Sequence, residues 1–95
     1  MSATVRIPGP LRRFTNNSDK VQVEPGDLGA VIGELDGLFP GIRERILDED
    51  GAMRYFVNVY LNGEDVRFLQ GLETAVGAGD EVSIVPAVAG GARPR

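Results

Sequence analysis

The residues best suited to chemistry lie near the end of the chain, where Gly90 and Gly91 follow an apolar segment. Because proline has no backbone N–H, Pro86 predicts the point at which the last strand ends. Two glycines allow the main chain to enter a channel too narrow for a Cβ atom. The sequence therefore predicts a tail that threads into a partner's active site and presents Gly91 for reaction; a frayed, glycine-rich terminus is the simpler alternative. The threading residues are Pro86, Ala87, Val88, Ala89 and Gly90.

Side chains that catalyse reactions are scarce in this sequence. The 95 residues contain no His, Cys or Trp, which removes the usual general base, the thiolate nucleophile and most transition-metal ligands. The acidic run at residues 48–50 lacks the alternating spacing of a calcium loop. A chain this short forms one core but no deep catalytic cleft beside it. We expect no catalytic residue, no metal and no bound cofactor, and an adapter or a substrate protein rather than an enzyme.

Charge and hydropathy exclude further classes. Ten basic and 14 acidic residues give a net charge of −4, which repels a phosphate backbone, so nucleic acid is not an expected partner. No apolar run approaches the ~20 residues of a membrane span, and the N-terminus lacks the pattern of a signal peptide. We expect a cytoplasmic protein that does not bind membranes.

Alternation and turn residues predict a hairpin at the start of the chain. Val5 and Ile7 alternate with polar residues, and Val21 and Val23 repeat that pattern after a polar connection at residues 11–20. A period of two predicts strands with one buried face. Pro, Gly and Asn residues between and after them support the turns.

A helix should follow this hairpin. Asp27 is placed to accept hydrogen bonds from the free N–H groups of the first turn. Apolar residues then recur at helical spacing, and Pro40-Gly41 ends the pattern. Residues 42–47 predict one more short helical turn. The predicted buried stripe consists of Leu28, Val31, Ile32, Leu35, Leu38 and Phe39.

The second half predicts another hairpin and a final strand. Residues 55–61 alternate as a strand, Asn62-Gly63 favours a tight turn with two positive φ angles, and residues 66–68 should return antiparallel. A turn at residues 77–80 precedes the last strand at residues 81–85.

The order hairpin, helix, hairpin, strand predicts an α+β roll, in which one main helix packs across a mixed sheet and the last strand lies parallel to the first. We expect residues 1–86 to form this domain, residues 87–91 to form the tail, and residues 92–95 to be an extension.

An apolar patch near the root of the tail is expected to dock on a partner enzyme. Its candidate residues are Phe68, Leu69 and Val85, of which Val85 should point outward from the last strand. Phe68 is as well suited to the core as to an interface.

Two stretches, residues 56–68 and residues 79–91, carry a resemblance to a known family. From Val5 to Gly91 the chain resembles the β-grasp, ubiquitin-like sulfur carriers of the ThiS/MoaD family. It is most similar to the CysO-type carriers. Those carriers share a helix start that this chain matches, with one residue fewer, at Gly26-Asp27-Leu28-Gly29-Ala30-Val31-Ile32. They also share the ending Pro86-Ala87-Val88-Ala89-Gly90-Gly91.

The resemblance implies a role for Gly91 as substrate. A ubiquitin-activating-like adenylyltransferase would adenylate the Gly91 carboxylate with ATP and magnesium, and a sulfurtransferase step would convert it to a thiocarboxylate. A sulfur-accepting synthase, such as a cysteine synthase that uses pyridoxal phosphate, would take the sulfur, and a zinc-dependent peptidase would release the product. All of these cofactors would belong to the partners.

The chain departs from the family at its end, since Ala92-Arg93-Pro94-Arg95 follow Gly91. A peptide bond to Ala92 leaves Gly91 without a free carboxylate. We therefore expect a peptidase to cut between Gly91 and Ala92 during maturation. Three alternatives stay open: the small subunit of a molybdopterin synthase, a ubiquitin-like modifier joined to lysines through Gly91, and a non-covalent interaction module.

Overall fold

A computed structural model describes residues 2–86; the predictions for residues 87–95, including Gly90, Gly91 and Ala92, lie outside the described residues. Five strands form a mixed sheet in the order β2-β1-β7-β4-β5, and two short strands, β3 and β6, pair beside it. The elements are β1 (Ala3–Arg6), β2 (Lys20–Val23), β3 (Gly26–Asp27), α1 (Leu28–Leu38), α2 (Arg43–Ile46), β4 (Val57–Leu61), β5 (Glu64–Asp65), β6 (Ala75–Val76) and β7 (Glu81–Pro86).

The first hairpin is confirmed. Strands β1 and β2 pair antiparallel, with Val5 opposite Val21, and both side chains are buried. The connection between the strands is less polar than predicted, because Gly9–Phe14 forms a 3₁₀ helix that buries Leu11. Pro10 favours the start of such a helix, since its fixed φ suits the first turn and its missing N–H needs no partner there.

Helix α1 begins as predicted and buries most of the predicted stripe. Asp27 Oδ1 accepts a hydrogen bond from the Ala30 N–H at 2.7 Å, which caps the helix. The prediction was wrong for Leu38, which is 51% exposed. At 100° per residue Leu38 lies roughly 70° from the centre of the stripe, so it reaches the solvent-facing edge. Four stripe residues, Leu28, Val31, Ile32 and Leu35, are buried, and Phe39 packs against the core.

The turn after α1 is closed by a side chain. Asp36 Oδ1 accepts hydrogen bonds from the N–H groups of Gly41 and Arg43, both at 3.0 Å. Gly41 has a φ of 102°, a conformation that glycine adopts without strain. The predicted second helical turn follows as α2. Its apolar residues, Ile42, Ile46 and Leu47, are buried as expected.

The second hairpin is confirmed at its turn and corrected in its return. Asn62 and Gly63 have φ angles of 51° and 91°, as the dipeptide predicts. The returning strand is β5, which pairs immediately after the turn. The prediction of a strand at Val66–Phe68 was wrong, because that segment forms a 3₁₀ helix. Asp65 Oδ1 accepts from the Arg67 N–H at 2.8 Å and ends the strand by starting this helix.

Strand β7 lies between β1 and β4 in the middle of the sheet. It runs parallel to β1, as predicted, and antiparallel to β4, where Val57 is opposite Pro86. Val82 and Ile84 are buried, while Val85 faces outward and is 44% exposed. Two hairpins, one helix packed across a mixed sheet and a parallel last strand make up the β-grasp, ubiquitin-like fold that the sequence predicts.

A hydrogen-bonded clamp holds the start of β7 at the end of the sheet opposite the tail. Asn62 Oδ1 accepts from the Glu81 N–H at 2.9 Å, and Asn62 Nδ2 donates to Asp80 Oδ1 at 3.1 Å. The Gly77 N–H donates to Asp80 Oδ2 at 2.8 Å. The hydrogen bond from Gly77 and then that from Asn62 lower the pKa of Asp80 below its ordinary value of 3.8, against a smaller opposing effect of desolvation.

Replacing Leu35 by Asp should unfold the domain. Leu35 is fully buried, and a lone buried carboxylate costs several kcal/mol out of the roughly 5–15 kcal/mol that holds a small domain folded. Leu38→Asp is the matched control on the same helix, because its side chain is already half exposed. Circular dichroism during thermal unfolding should show a cooperative transition for the control only. Equal stability of the two variants would contradict the assigned core face.

Replacing Asp80 by Ala should destabilise the domain near neutral pH but not in acid. A carboxylate whose folded-state pKa is lowered contributes stability above its ordinary pKa, and that stability is lost as the pH falls through the lowered value. The difference in unfolding free energy between wild type and variant, measured with denaturant, should therefore shrink below that pH.

Glu49→Ala is the control for the Asp80 variant, since it removes the same charge from an exposed side chain outside the clamp. A difference between wild type and Asp80→Ala that stays constant from neutral to acid pH would argue against the clamp.

Candidate functional site

The predicted tail leaves the domain at the end of β7. Pro86 is the last residue of that strand and lies opposite Val57, the first residue of β4. On the other side, the pairing of β7 with β1 already ends at Ser83 opposite Arg6. The pairing of β7 with β1 and with β4 has therefore ended on both sides by Pro86, which has no backbone N–H to donate to a neighbouring strand. The end of the sheet near Pro86 is called the tail root below.

The surface next to the tail root has an open cleft on its β1 side. The cleft is lined by Arg6, Pro8, Pro10 and Arg12 from β1 and the following segment, and by residues 83–86 of β7. Arg12 Nε donates to the Ile7 carbonyl at 3.1 Å, which fixes the side chain along this edge. On this side the tail root is thus flanked by two prolines and two arginines.

The three residues predicted to form a partner patch are all exposed. Phe68 is 87% exposed, which excludes the core position that the sequence left open, and Leu69 and Val85 are about two-fifths exposed. Val85 lies on the outer face of β7, directly opposite Asn58. Phe68 and Leu69 belong to a different segment, the 3₁₀ turn after β5 and the residue that follows it.

The side chain of Arg67 connects these two parts of the surface. Its Nη1 donates to Asn58 Oδ1 at 2.8 Å, beside Val85, while its backbone adjoins Phe68. Directly paired residues such as Asn58 and Val85 project from the same face of a sheet. The arrangement leaves Val85 and Phe68 available to contact a partner.

Sequence reasoning missed an aromatic pair at the tail root. Tyr55 and Phe56 immediately precede Val57, and they are 91% and 37% exposed. Their rings meet edge to face, with centroids 5.3 Å apart and an angle of 84°. The alternation that predicts a strand from residue 55 would have placed Tyr55 on the buried face, but β4 begins only at Val57. The signal that could have identified this exposed surface is a basic residue followed by two large aromatic residues at the start of a strand.

Among residues 2–86, no three of the His, Cys, Asp and Glu side chains are grouped so that they could hold a metal ion. Within the same range, no helix has the length and apolar character needed to cross a membrane.

Comparison with known proteins identifies relatives of this shape. A profile of the ThiS family matches residues 5–91. The sulfur carrier protein CysO of Mycobacterium tuberculosis is 48% identical over 93 residues, which cover 96% of this chain and 100% of that protein. The crystal structure of the Amycolatopsis orientalis BexX/CysO complex contains a chain that superposes with a TM-score of 0.87 at 38% identity, covering 90% of this chain and 96% of that one.

A second kind of relative matches a shorter region. Small archaeal modifier protein 3 of Haloferax volcanii is 42% identical over 64 residues, which cover 67% of this chain and 68% of that protein. The family match begins at Val5 within β1, continues past the end of β7 and includes Gly90 and Gly91. On the evidence of its fold and of this match, the chain belongs to the ThiS family.

Proposed function

We propose that the chain is a sulfur carrier, whose Gly91 is first freed from residues 92–95, then adenylated and converted to a thiocarboxylate. The observation that carries the proposal is the position of Gly91 in the sequence, five residues after Pro86, where the central strand β7 ends. The chain is also similar to CysO over nearly its whole length. Five residues span at most about 17 Å when extended, enough to enter a partner's active site.

The chemistry requires only a terminal carboxylate from this protein. Hydrolysis of the Gly91–Ala92 peptide bond supplies it. A carboxylate oxygen then attacks the α-phosphorus of ATP and releases pyrophosphate, which leaves an acyl adenylate. Hydrosulfide supplied by the partner then attacks the acyl carbon; the C–S bond forms, the bond to the AMP oxygen breaks, and loss of the proton on sulfur leaves the thiocarboxylate. Activation is needed because a free carboxylate is a poor electrophile.

The proposed partners supply all the catalysis and cofactors. A ubiquitin-activating-like adenylyltransferase with ATP and magnesium would carry out activation, with a sulfurtransferase activity to add the sulfur. A zinc-dependent peptidase would act on the tail. A sulfur-accepting synthase would receive the sulfur, and a cysteine synthase with pyridoxal phosphate is one candidate for it. The complex of BexX with CysO supports the view that a carrier of this shape binds a second protein. We place the protein in the cytoplasm, where such enzymes and ATP are found.

A ubiquitin-like modifier is the second candidate, and the similarity to small archaeal modifier protein 3 favours it. Both functions begin with adenylation of Gly91, but a modifier ends in an amide bond to a lysine. Branched Gly-Gly remnants on lysines of other proteins, found after proteolysis of host extracts, would distinguish a modifier from a carrier.

Adenylation should depend on removal of the last four residues. The chain that ends at Arg95 and the form that ends at Gly91 are each mixed with the host's adenylating enzyme, ATP and magnesium, and the exchange of labelled pyrophosphate into ATP is measured. Exchange should occur only with the form ending at Gly91, since the longer chain has its terminal carboxylate on Arg95 and a peptide bond at Gly91. Deletion of Gly90 and Gly91 is the control. Exchange of equal rate with the chain ending at Arg95 would contradict the proposal.

Replacing Val85 by Asp should weaken activation without unfolding the domain. Val85 faces outward, so a carboxylate there stays solvated in the free protein but would be desolvated in an apolar contact. The rate of pyrophosphate exchange at limiting carrier should fall about tenfold or more, a loss typical of a central interface residue. Val85→Thr, which keeps the β-branched shape, should lose much less. A Val85→Asp variant activated at the wild-type rate would remove Val85 from the interface.

A further inference from the structure

The exposed residues just before β4 form a surface that the proposed function does not yet use. We propose that Arg54, Tyr55 and Phe56, held in place by Arg67, dock against a carboxylate and an apolar pocket beside the tail-binding entrance of the adenylating enzyme. This set of four residues is called the arginine–aromatic surface. The inference rests on the proposed function and adds to it a recognition element outside the tail and the patch of Phe68, Leu69 and Val85.

Position is the first argument. Tyr55 and Phe56 directly precede Val57, which lies opposite Pro86, the last strand residue before the tail. An enzyme that receives Gly91 must therefore approach this edge of the domain. Adjacent strands lie about 4.8 Å apart, so the start of β4 is one strand spacing away from the chain that leaves β7. The surface is next to the route of the tail.

Exposure of the aromatic pair is the second argument. Tyr55 is 91% exposed, and its ring has only the edge-to-face contact with Phe56 among the aromatic pairs of the described residues. Aromatic side chains bury a large area with few rotatable bonds, so they are enriched at the centres of protein interfaces. A folded domain gains nothing from Tyr55 in water, whereas a partner that covers this ring gains its hydrophobic burial.

The state of Arg54 is the third argument. Its Nε donates to the Glu44 carbonyl at 2.8 Å, and its guanidinium carbon lies 6.0 Å from the centre of the Phe56 ring. Within residues 2–86 no carboxylate oxygen lies within 4.0 Å of a charged nitrogen of Arg54, although Glu44, Asp48 and Glu49 border the same cleft. Its charge is thus oriented by neutral groups and not neutralised by an ion pair. A guanidinium oriented in this way suits a two-pronged contact with a carboxylate.

Arg67 keeps this arrangement in place. Its Nη2 donates to the Arg54 carbonyl at 2.8 Å, while its Nη1 donates to Asn58. Both contacts are with neutral oxygens, and they tie the segment before β4 to the turn after β5. Arg67 is therefore a positioning residue, and Arg54 is the residue whose charge is available to a partner.

Local charge is the fourth argument, and it limits the partner's chemistry. Glu44, Asp48 and Glu49 line the same cleft as Arg54, so carboxylates lie on one side of its guanidinium. They would repel a broad acidic surface, because like charges brought close together cost free energy. A single carboxylate that approaches Arg54 from the side of the Phe56 ring is therefore the contact that suits this surface.

The experiment measures binding of the carrier, in the form isolated from its host, to the adenylating enzyme by calorimetry at low and high salt. Arg54→Glu should weaken binding about tenfold at low salt and flatten the salt dependence, as expected for a lost charge contact. Arg54→Lys keeps the charge but loses the planar fork, so its affinity should lie between those of the wild type and Arg54→Glu, with the salt dependence of the wild type. Tyr55→Ala should weaken binding by a similar factor at both salt concentrations.

Lys20→Glu is the matched control, because it makes the same change of charge at an exposed position on β2, three strands away from β4. It should bind like wild type. Wild-type affinity of both Arg54→Glu and Tyr55→Ala would overturn the inference, and so would equal losses in Arg54→Glu and Lys20→Glu, which would indicate net charge alone.

Two further outcomes separate this inference from the proposed function. If the wild-type carrier is adenylated and the variants at Arg54 and Tyr55 match it in affinity and rate, only the docking surface is wrong. If no form of the wild-type chain is bound or adenylated, the proposed function and the inference fail together. Sedimentation velocity tests whether the carrier binds a second copy of itself. Self-association that the Tyr55→Ala variant no longer shows would assign the surface to that second copy and overturn the inference.

Discussion

The pairing of β7 on both sides is the interaction on which the rest of the structure depends. Its backbone is bonded to β1 in parallel and to β4 in antiparallel, and Val82 and Ile84 anchor it to the core. A strand in the middle of a sheet cannot slip by one residue without turning its buried side chains outward. The clamp of Asn62 and Asp80 at the other end fixes the register further, and so fixes where Pro86 comes to lie.

This constraint separates the parts of the molecule by task. The inner face of the sheet and α1 supply stability, the turns at the far end set the register, and the tail root together with its exposed neighbours is left for recognition. The lowered pKa of Asp80 belongs to the clamp and not to the tail root. In our account the chemistry happens on a partner, and this domain determines which partner and where Gly91 is delivered.

Local signals predicted the fold well, because they are strong at the points that matter. Asp27 caps α1, Asn62-Gly63 forms its turn, and the chain order leads to the parallel return of β7. The errors lie where alternation continues past the end of an element. Residues 55 and 56 continue the alternating pattern of β4 but are not part of the strand, so only the structure shows that they are exposed. Val66–Phe68 forms a 3₁₀ helix instead of a strand, because Asp65 accepts a hydrogen bond from the Arg67 N–H. The tail was predicted from Pro86 and the two glycines and lies outside the described residues, whereas the arginine contacts near Pro86 depend on distant segments that no local pattern reveals.

The most direct test of the central claim is the intact mass of the protein isolated from its host while its pathway is active. The account predicts a fraction of the protein that ends at Gly91 and in which one terminal oxygen is replaced by sulfur; alkylation should then label that sulfur, because the chain contains no cysteine. A protein that keeps residues 92–95 throughout, with no sulfur added, would contradict it.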